Sequence, residues 1–239
     1  MENTNNKQTI FLGLCLFFGL SSLGYLLGDA AIKYKAFERT VTVKGLSERE
    51  YQADIVIWPI GFTTASNDLA AIYKTIEHNT KSISDFLIAA GIEPSEITSS
   101  SPAITDKLAQ QYGGQNNAEF RYTASQSVTV YSKNIQVVRN VMKDISILGK
   151  EGIVFSEENY NSKIEYIFTR LNEVKPEMIE QATRKAREVA QKFAADSNSV
   201  LGKIRKASQG QFSITARDKN NPHIKKVRVV STVDYYLSD

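Results

Sequence analysis

Residues 10–27 form an unbroken run of 18 positions without a charge, IFLGLCLFFGLSSLGYLL. As a helix it would be ~27 Å long, close to the ~30 Å hydrocarbon core of a bilayer. A core helix of a globular domain shows one apolar face, whereas this run is apolar all round. Two readings remain. Gly28-Asp29-Ala30 before Ala31 puts small residues where a secretory signal is cut. The run exceeds the roughly 7–15 apolar residues of a cleaved signal, and Asp29 lies inside the would-be site, which favours a retained anchor. Cys15 follows Leu14, not the Gly or Ala of a lipid-modification site. Lys7 lies before the run and Lys33, Lys35 and Arg39 after it. Counted naively this holds the C-terminal part in the cytoplasm, but the rule weakens for long translocated domains.

Beyond the run the pattern alternates between periods of two and of three to four. Thr40-Val41-Thr42-Val43 reads as a strand leading to a turn at Gly45, and 51–64 as a second strand in which Pro59 marks a bulge or edge. Ser66 or Asn67 caps a helix with Leu69, Ile72, Ile76, Ile83, Phe86, Leu87 and Ala90 on one face, ended by Gly91. Residues 97–104 read as a strand, and the Gly/Asn-rich stretch 106–118 as the most mobile loop. A strand with Phe120, Tyr122, Ala124, Val128 and Val130 in alternation follows, then a helix capped by Asn134 and ended by Gly149. Strands are predicted at 153–156 and 164–170. The longest helix is predicted from about Pro176 to Ser197, with Ala182, Ala186, Ala190 and Ala194 on a stripe that lets it sit close to a sheet. Two long strands, 204–216 and 225–237, close the chain.

The predicted fold is α+β: three helices packed on mainly antiparallel sheet, in repeated hairpin–helix order, preceded by one transmembrane helix. The expected organisation is a cytoplasmic tail at 1–9, a signal anchor at 10–27, a tether at 28–36 and the α+β domain at 37–239, as one body or two lobes.

Composition narrows the chemistry. The net charge of +3 is small and scattered, so nucleic acid is not an expected partner. The single cysteine, Cys15, lies in the apolar run, so the remainder has neither a disulfide nor a cysteine metal site. His78 and His223 have no paired spacing for a metal, and both read as solvated. Gly45-Leu46-Ser47 lacks the second glycine of a nucleophile elbow, and Gly113-Gly114 lacks the context of a phosphate loop. Glu157-Glu158 are adjacent, not facing. Hence no catalytic, metal or cofactor residue is assigned. The one local charge cluster is Arg217, Lys219, Lys225, Lys226 and Arg228, a basic patch for an anionic partner or simply the wet face of an edge hairpin.

The chain resembles the SIMPL-domain family of bacterial envelope proteins, from about Thr40 to Leu237. The resemblance is carried by Val41-Thr42-Val43-Lys44-Gly45, Ala53-Asp54-Ile55, Gly91-Ile92 with Glu96-Ile97-Thr98-Ser99, residues 122–131 (YTASQSVTVY), and Gly152-Ile153 with Phe155-Ser156. Its strongest part is Ala182, Ala186, Arg187, Ala190 and Ala194 leading into Leu201-Gly202-Lys203. Ala53 stands where many members have proline, and the final hairpin loop is shorter. The resemblance implies an exported domain with no agreed catalytic residue or cofactor and a loose link to stress tolerance. It points to a single-pass inner-membrane protein with its C-terminal domain in the periplasm. The expected action is non-enzymatic, through homo-oligomers or other envelope proteins, with strands such as 227–237 pairing across subunits. The alternative is a periplasmic hydrolase or a small-molecule- or lipid-binding protein whose site is assembled from separate strands.

Overall fold

The computed structural model describes residues 2–36, 39–109, 119–156 and 163–238. Most of the expected mobile loop, with Gly113-Gly114, and the Glu157-Glu158 pair lie outside the described residues. The first helix, α1, is Glu2–Ala36. Its Phe11–Lys35 stretch is long and apolar enough to cross a membrane, and none of it is buried. It continues through the 28–36 stretch set aside as a tether, where Lys33 Nζ pairs with Asp29 at 2.7 Å.

The fold is α+β with antiparallel pairing in both sheets, and it divides into two compact units. One comprises Met1–Glu48, Lys175–Phe212 and Arg228–Asp239; the other comprises Arg49–Val174 and Ser213–Val227.

The second unit is built on β2 (Ile55–Ser66) and β5 (Tyr122–Ser132), antiparallel from Val56↔Ser132 to Ser66↔Tyr122. β3 (Ile97–Ser99) and β4 (Ala103–Asp106) pair with β5; β6 (Val154–Phe155) and β7 (Glu165–Ile167) pair with β2. Two helices, α2 (Leu69–Ala89) and α3 (Ile135–Asp144), cover one face. Val56, Trp58, Ile60 and Phe62 of β2 meet Ile72, Ile76, Ile83 and Leu87 of α2 and Val138 and Val141 of α3. Pro59 lies between the stretches of β2 that β6 and β7 pair, so its missing N–H spoils no ladder there.

Several boundaries differ from those read from sequence, each for a local reason. Asp68 caps α2, accepting the Ala70 N–H at 2.8 Å, while the Ser66 hydroxyl accepts from Asp68 N. The strand expected at 97–104 is broken into β3 and β4 around Pro102, which has no N–H to give a ladder. The helix expected at 134–149 is capped by Asn134 as read, but it splits at Ile145 into α3 and the short α4 (Ser146–Lys150). That split gives the domain four helices among the described residues instead of three. The corner between β1 (Thr40–Gln52) and β2 is fixed by Asp54. Its carboxylate accepts from Thr169 N at 2.7 Å, Thr169 Oγ1 at 3.1 Å and Arg170 Nε at 2.6 Å. Burial alone would raise its pKa, but these bonds and the guanidinium outweigh it and hold the carboxyl below its usual range.

The first unit holds the longest helix of the domain, α5 (Leu171–Asp196), against a sheet of order β1–β10–β8. Here β8 is Val200–Gln209 and β10 is Ile224–Ser238, with β9 (Ser213–Ala216) also pairing β10. Gly210 interrupts the strand expected at 204–216; its N–H donates to Val230 O, and a Cβ there would meet that oxygen at 2.8 Å. β10 runs between β1 and β8, so its backbone is already paired on both sides and it offers no open edge. The expectation that 227–237 pairs across subunits is therefore corrected. α5 begins at Leu171, five residues before Pro176, which sits inside the helix.

The alanine stripe behaves as read: Ala182, Ala186 and Ala190 are fully buried and Ala194 nearly so. Gly45, expected as a turn, instead lies in the middle of β1. A Cβ on Gly45 would fall 1.9 Å from Ala182 O and 2.5 Å from Ala186 N. Backbone therefore meets backbone, and glycine is required by space, not by φ. Next to this contact Ser47, fully buried, donates from Oγ to Gln181 Oε1 at 2.7 Å.

Gly45→Val should prevent stable folding, and Ala186→Phe or Ala190→Phe should lower stability by ~1–3 kcal/mol or more through overpacking. Lys185→Phe should be mild. Thermal melts of purified variants check this; equal stability of all four would refute the close contact. Asp54→Ala should cost about 1.5–3 kcal/mol, the scale of hydrogen bonds to a charged group. Its loss in denaturant titrations should shrink below the native carboxyl's titration range, because the wild-type carboxylate is then protonated.

Candidate functional site

Strand parity assigns each face of the six-stranded sheet. Residues directly opposite in an antiparallel pair share a face. With Trp58, Ile60 and Phe62 turned to the helices, the other face takes Ile57, Pro59, Gly61, Thr63 and Ala65 of β2. Opposite them stand Tyr131, Thr129, Ser127, Ser125 and Thr123 of β5. Thr98, Ala103, Thr105 and Val154 extend the same face on the flanking strands. Glu165 and Ile167 of β7 close one corner. Among the described residues of these strands, Glu165 is the one charged side chain on that face. A solvated antiparallel face is ordinarily rich in charge; here hydroxyls, methyls and bare backbone replace it.

At one end the face forms a trough of about 480 Å³, lined by Thr63, Thr105, Thr123 and Ser125 hydroxyls and by Ala65, Ala103 and Val154. Among the described residues that line it, none has a titratable side chain. Such a surface can bind by shape and hydrogen bonding but offers no general acid or base. A second hollow of about 300 Å³ lies where β2 is unpaired between β6 and β7, and is mostly apolar, with Trp58, Pro59, Met142 and Ile145 in its walls. The hydroxyl of Ser127, on the sheet face beside Gly61, is buried and has no hydrogen-bond partner among the described residues.

His223 departs from its sequence reading. It is buried, with 7 % of its surface exposed, instead of solvated. Its carbonyl accepts from Ala53 N at 2.8 Å, which fixes the start of β10 to the β1–β2 corner. Its Nε2 lies 3.1 Å from Arg139 Nη1. A guanidinium only donates, so Nε2 accepts and the ring proton sits on Nδ1, which is buried and has no hydrogen-bond partner among the described residues. Tyr166 packs beside it, ring centroids 6.0 Å apart, with its hydroxyl 3.9 Å from Met142 Sδ. Burial raises the Tyr166 pKa, and Arg139 partly opposes this. Burial, then the Arg139 and Arg217 charges, depress the His223 pKa, against a smaller pull from Asp218. Nothing in the residue pattern signalled this cluster: its members come from α3, β7 and the turn before β10. His78 is on the exposed side of α2, as read.

Two members of the basic cluster stand in ion pairs. Arg217 pairs with Asp218 at 2.9 Å and with Glu50 at 3.7 Å, and the Arg217 hydrogen bond leads the drop of the Asp218 pKa to about 2. Arg228 approaches Glu48 at 4.0 Å. Lys225 is half-buried; burial lowers its pKa, against the nearby Glu165 charge. Lys226 has a partner as well, and Lys219 is exposed in the hairpin loop. Arg217 and Arg228 thus lie beside carboxylates. Among the described residues no three His, Cys, Asp or Glu side chains converge.

A depressed histidine pKa contributes stability that is present above the unfolded value of about 6.5 and is lost as pH falls towards the folded value. The wild-type melting temperature should therefore drop between pH 7.5 and 5.5 more steeply than that of His223→Gln, which keeps an acceptor for Arg139 without titrating. Parallel pH profiles would show that His223 does not carry this term.

The SIMPL family model, described as a protein of unknown function (DUF541), matches residues 41–233. No curated protein matches the chain.

Proposed function

The chain belongs to the SIMPL family, and on that premise we propose that it is a membrane-anchored, non-enzymatic protein of the cell envelope. Its domain acts by self-assembly or by binding other envelope components. The carrying observation is α1: an apolar segment with no buried residue, joined to a folded domain that does not use it as core. A helix of that length and composition has no favourable place in water, and the bilayer is the natural solvent for it. In this reading 10–27 is retained as an inner-membrane anchor, 1–9 lies in the cytoplasm and 37–239 in the periplasm, as the family's envelope character implies. A contribution to stress tolerance fits the same setting. The trough at one end of the sheet face supports binding over catalysis, since its described lining combines hydroxyls and methyls with no titratable side chain.

The alternative, a protein that binds an uncharged small molecule or lipid, or hydrolyses it, is favoured by one feature, the trough at the end of that face. It would be preferred if the purified full chain were monomeric and carried such a molecule.

Membranes washed with carbonate should retain the full-length protein, and N-terminal sequencing should find the chain uncut after Ala30. Protease added to spheroplasts should digest the domain while sparing intact cells. A chain beginning at Ala31 and released by carbonate would overturn the anchor, and a domain protected in spheroplasts would overturn the orientation.

A further inference from the structure

We propose that the hydroxyl-rich face of the six-stranded sheet, on which Glu165 at one corner is the one charge among the described residues of its strands, is where a second copy of this chain docks, face to face about a two-fold axis. The proposal rests on the self-assembly reading above and names its surface. The sheet edges are poor candidates. β8, the outer strand of the other sheet, carries exposed Lys203, Arg205 and Lys206, and β1 carries Lys44, Glu48 and Glu50. Charges of this kind guard an edge against pairing with another chain.

The face differs in kind. Its central side chains are small: Gly61 stands opposite Ser127, Thr63 opposite Ser125 and Ala65 opposite Thr123, the last two pairs lining the trough at one end. Outside that trough, side chains of this size allow a second sheet to approach the backbone closely. No charge in this central strip needs to be stripped of water when the face is covered, so burial carries no ionic desolvation penalty. The β2–β5 ladder is 11 residue pairs long, and the flanking strands β3, β4, β6 and β7 add 3, 4, 2 and 3 residues. At ~3.4 Å per residue and ~4.8 Å per strand one copy presents ~550 Å², and two would bury ~1,100 Å², above the ~1,000 Å² that a specific interface needs. The occupant is a second copy because the strip is complementary to itself: hydroxyls from Ser125 and Thr63 can donate and accept across the axis.

The test uses the full chain in mild detergent, sized by light scattering with multi-angle detection. Wild type should be an even-numbered oligomer. Ser125→Arg and Ala65→Arg, both at exposed positions, should halve its mass without moving the thermal melt. Mixing Ser125→Arg with Ser125→Glu chains should restore the larger species. Lys206→Glu on β8 should leave the assembly intact. If wild type is oligomeric and the Arg variants keep its mass, this face is not the interface, although self-assembly stands. If wild type is monomeric, the self-assembly reading itself fails and takes this proposal with it.

Discussion

The close approach of α5 to β1 at Gly45 is the constraint that orders the first unit. Helix and sheet in this unit touch through backbone, with Ala182 O occupying the space a Cβ would need. From Ala182 to Ala194 every fourth residue of the helix is therefore alanine, because anything larger at the contact would lift the helix off the strand. The associated core is small: Val43, Ala186, Ala190, Val233 and Tyr235, with Val41 and Leu201 at its margin. Its stability rests on fit more than on apolar volume, since alanine buries little surface. The Ser47–Gln181 hydrogen bond keeps one polar pair satisfied inside that contact.

The second unit solves the opposite problem. Its core is made of large side chains, Trp58, Phe62, Ile72, Ile83 and Leu87, held between two helices and one face of a long ladder. On the second face the central positions of β2 and β5 shrink to Ser, Thr, Ala and Gly, with Glu165 the one charge among the described residues of these strands. The helical face supplies the hydrophobic driving force, so the other face is not needed for the core.

Periodicity carried most of the architecture. The helix face of α2, the alanine stripe of α5 and the alternation of β5 are local patterns, and each recurs in the structure because one side of each element meets apolar neighbours. Glycine and proline were harder to read. Gly45 looked like a turn because its reason lies in a helix 137 residues later, Ala182. Pro176 looked like a helix start, whereas the helix begins earlier at Leu171. The hydroxyl-rich sheet face was present in the alternate positions of residues 57–65 and 123–131, but became visible only once parity assigned them to one side. The Arg139–His223–Tyr166 cluster was illegible for a stronger reason. Its three residues share no periodic element, and burial of His223 depends entirely on tertiary packing. Two carboxylates beside the basic cluster, Glu50 near Arg217 and Glu48 near Arg228, lie on β1, far from it in sequence, whereas Asp218 is Arg217's own neighbour.

The central claim is that an anchored copy meets a second through its hydroxyl-rich sheet face, and one cross-linking measurement addresses it in the native membrane. With Cys15→Ser removing the chain's single thiol, Ser125→Cys is introduced and intact cells are treated with a short thiol cross-linker that does not cross the inner membrane. The account expects a covalent dimer of full-length chains, and none when the cysteine is placed at Lys206 on β8 instead. A dimer from the Lys206 position with none from Ser125 would contradict it.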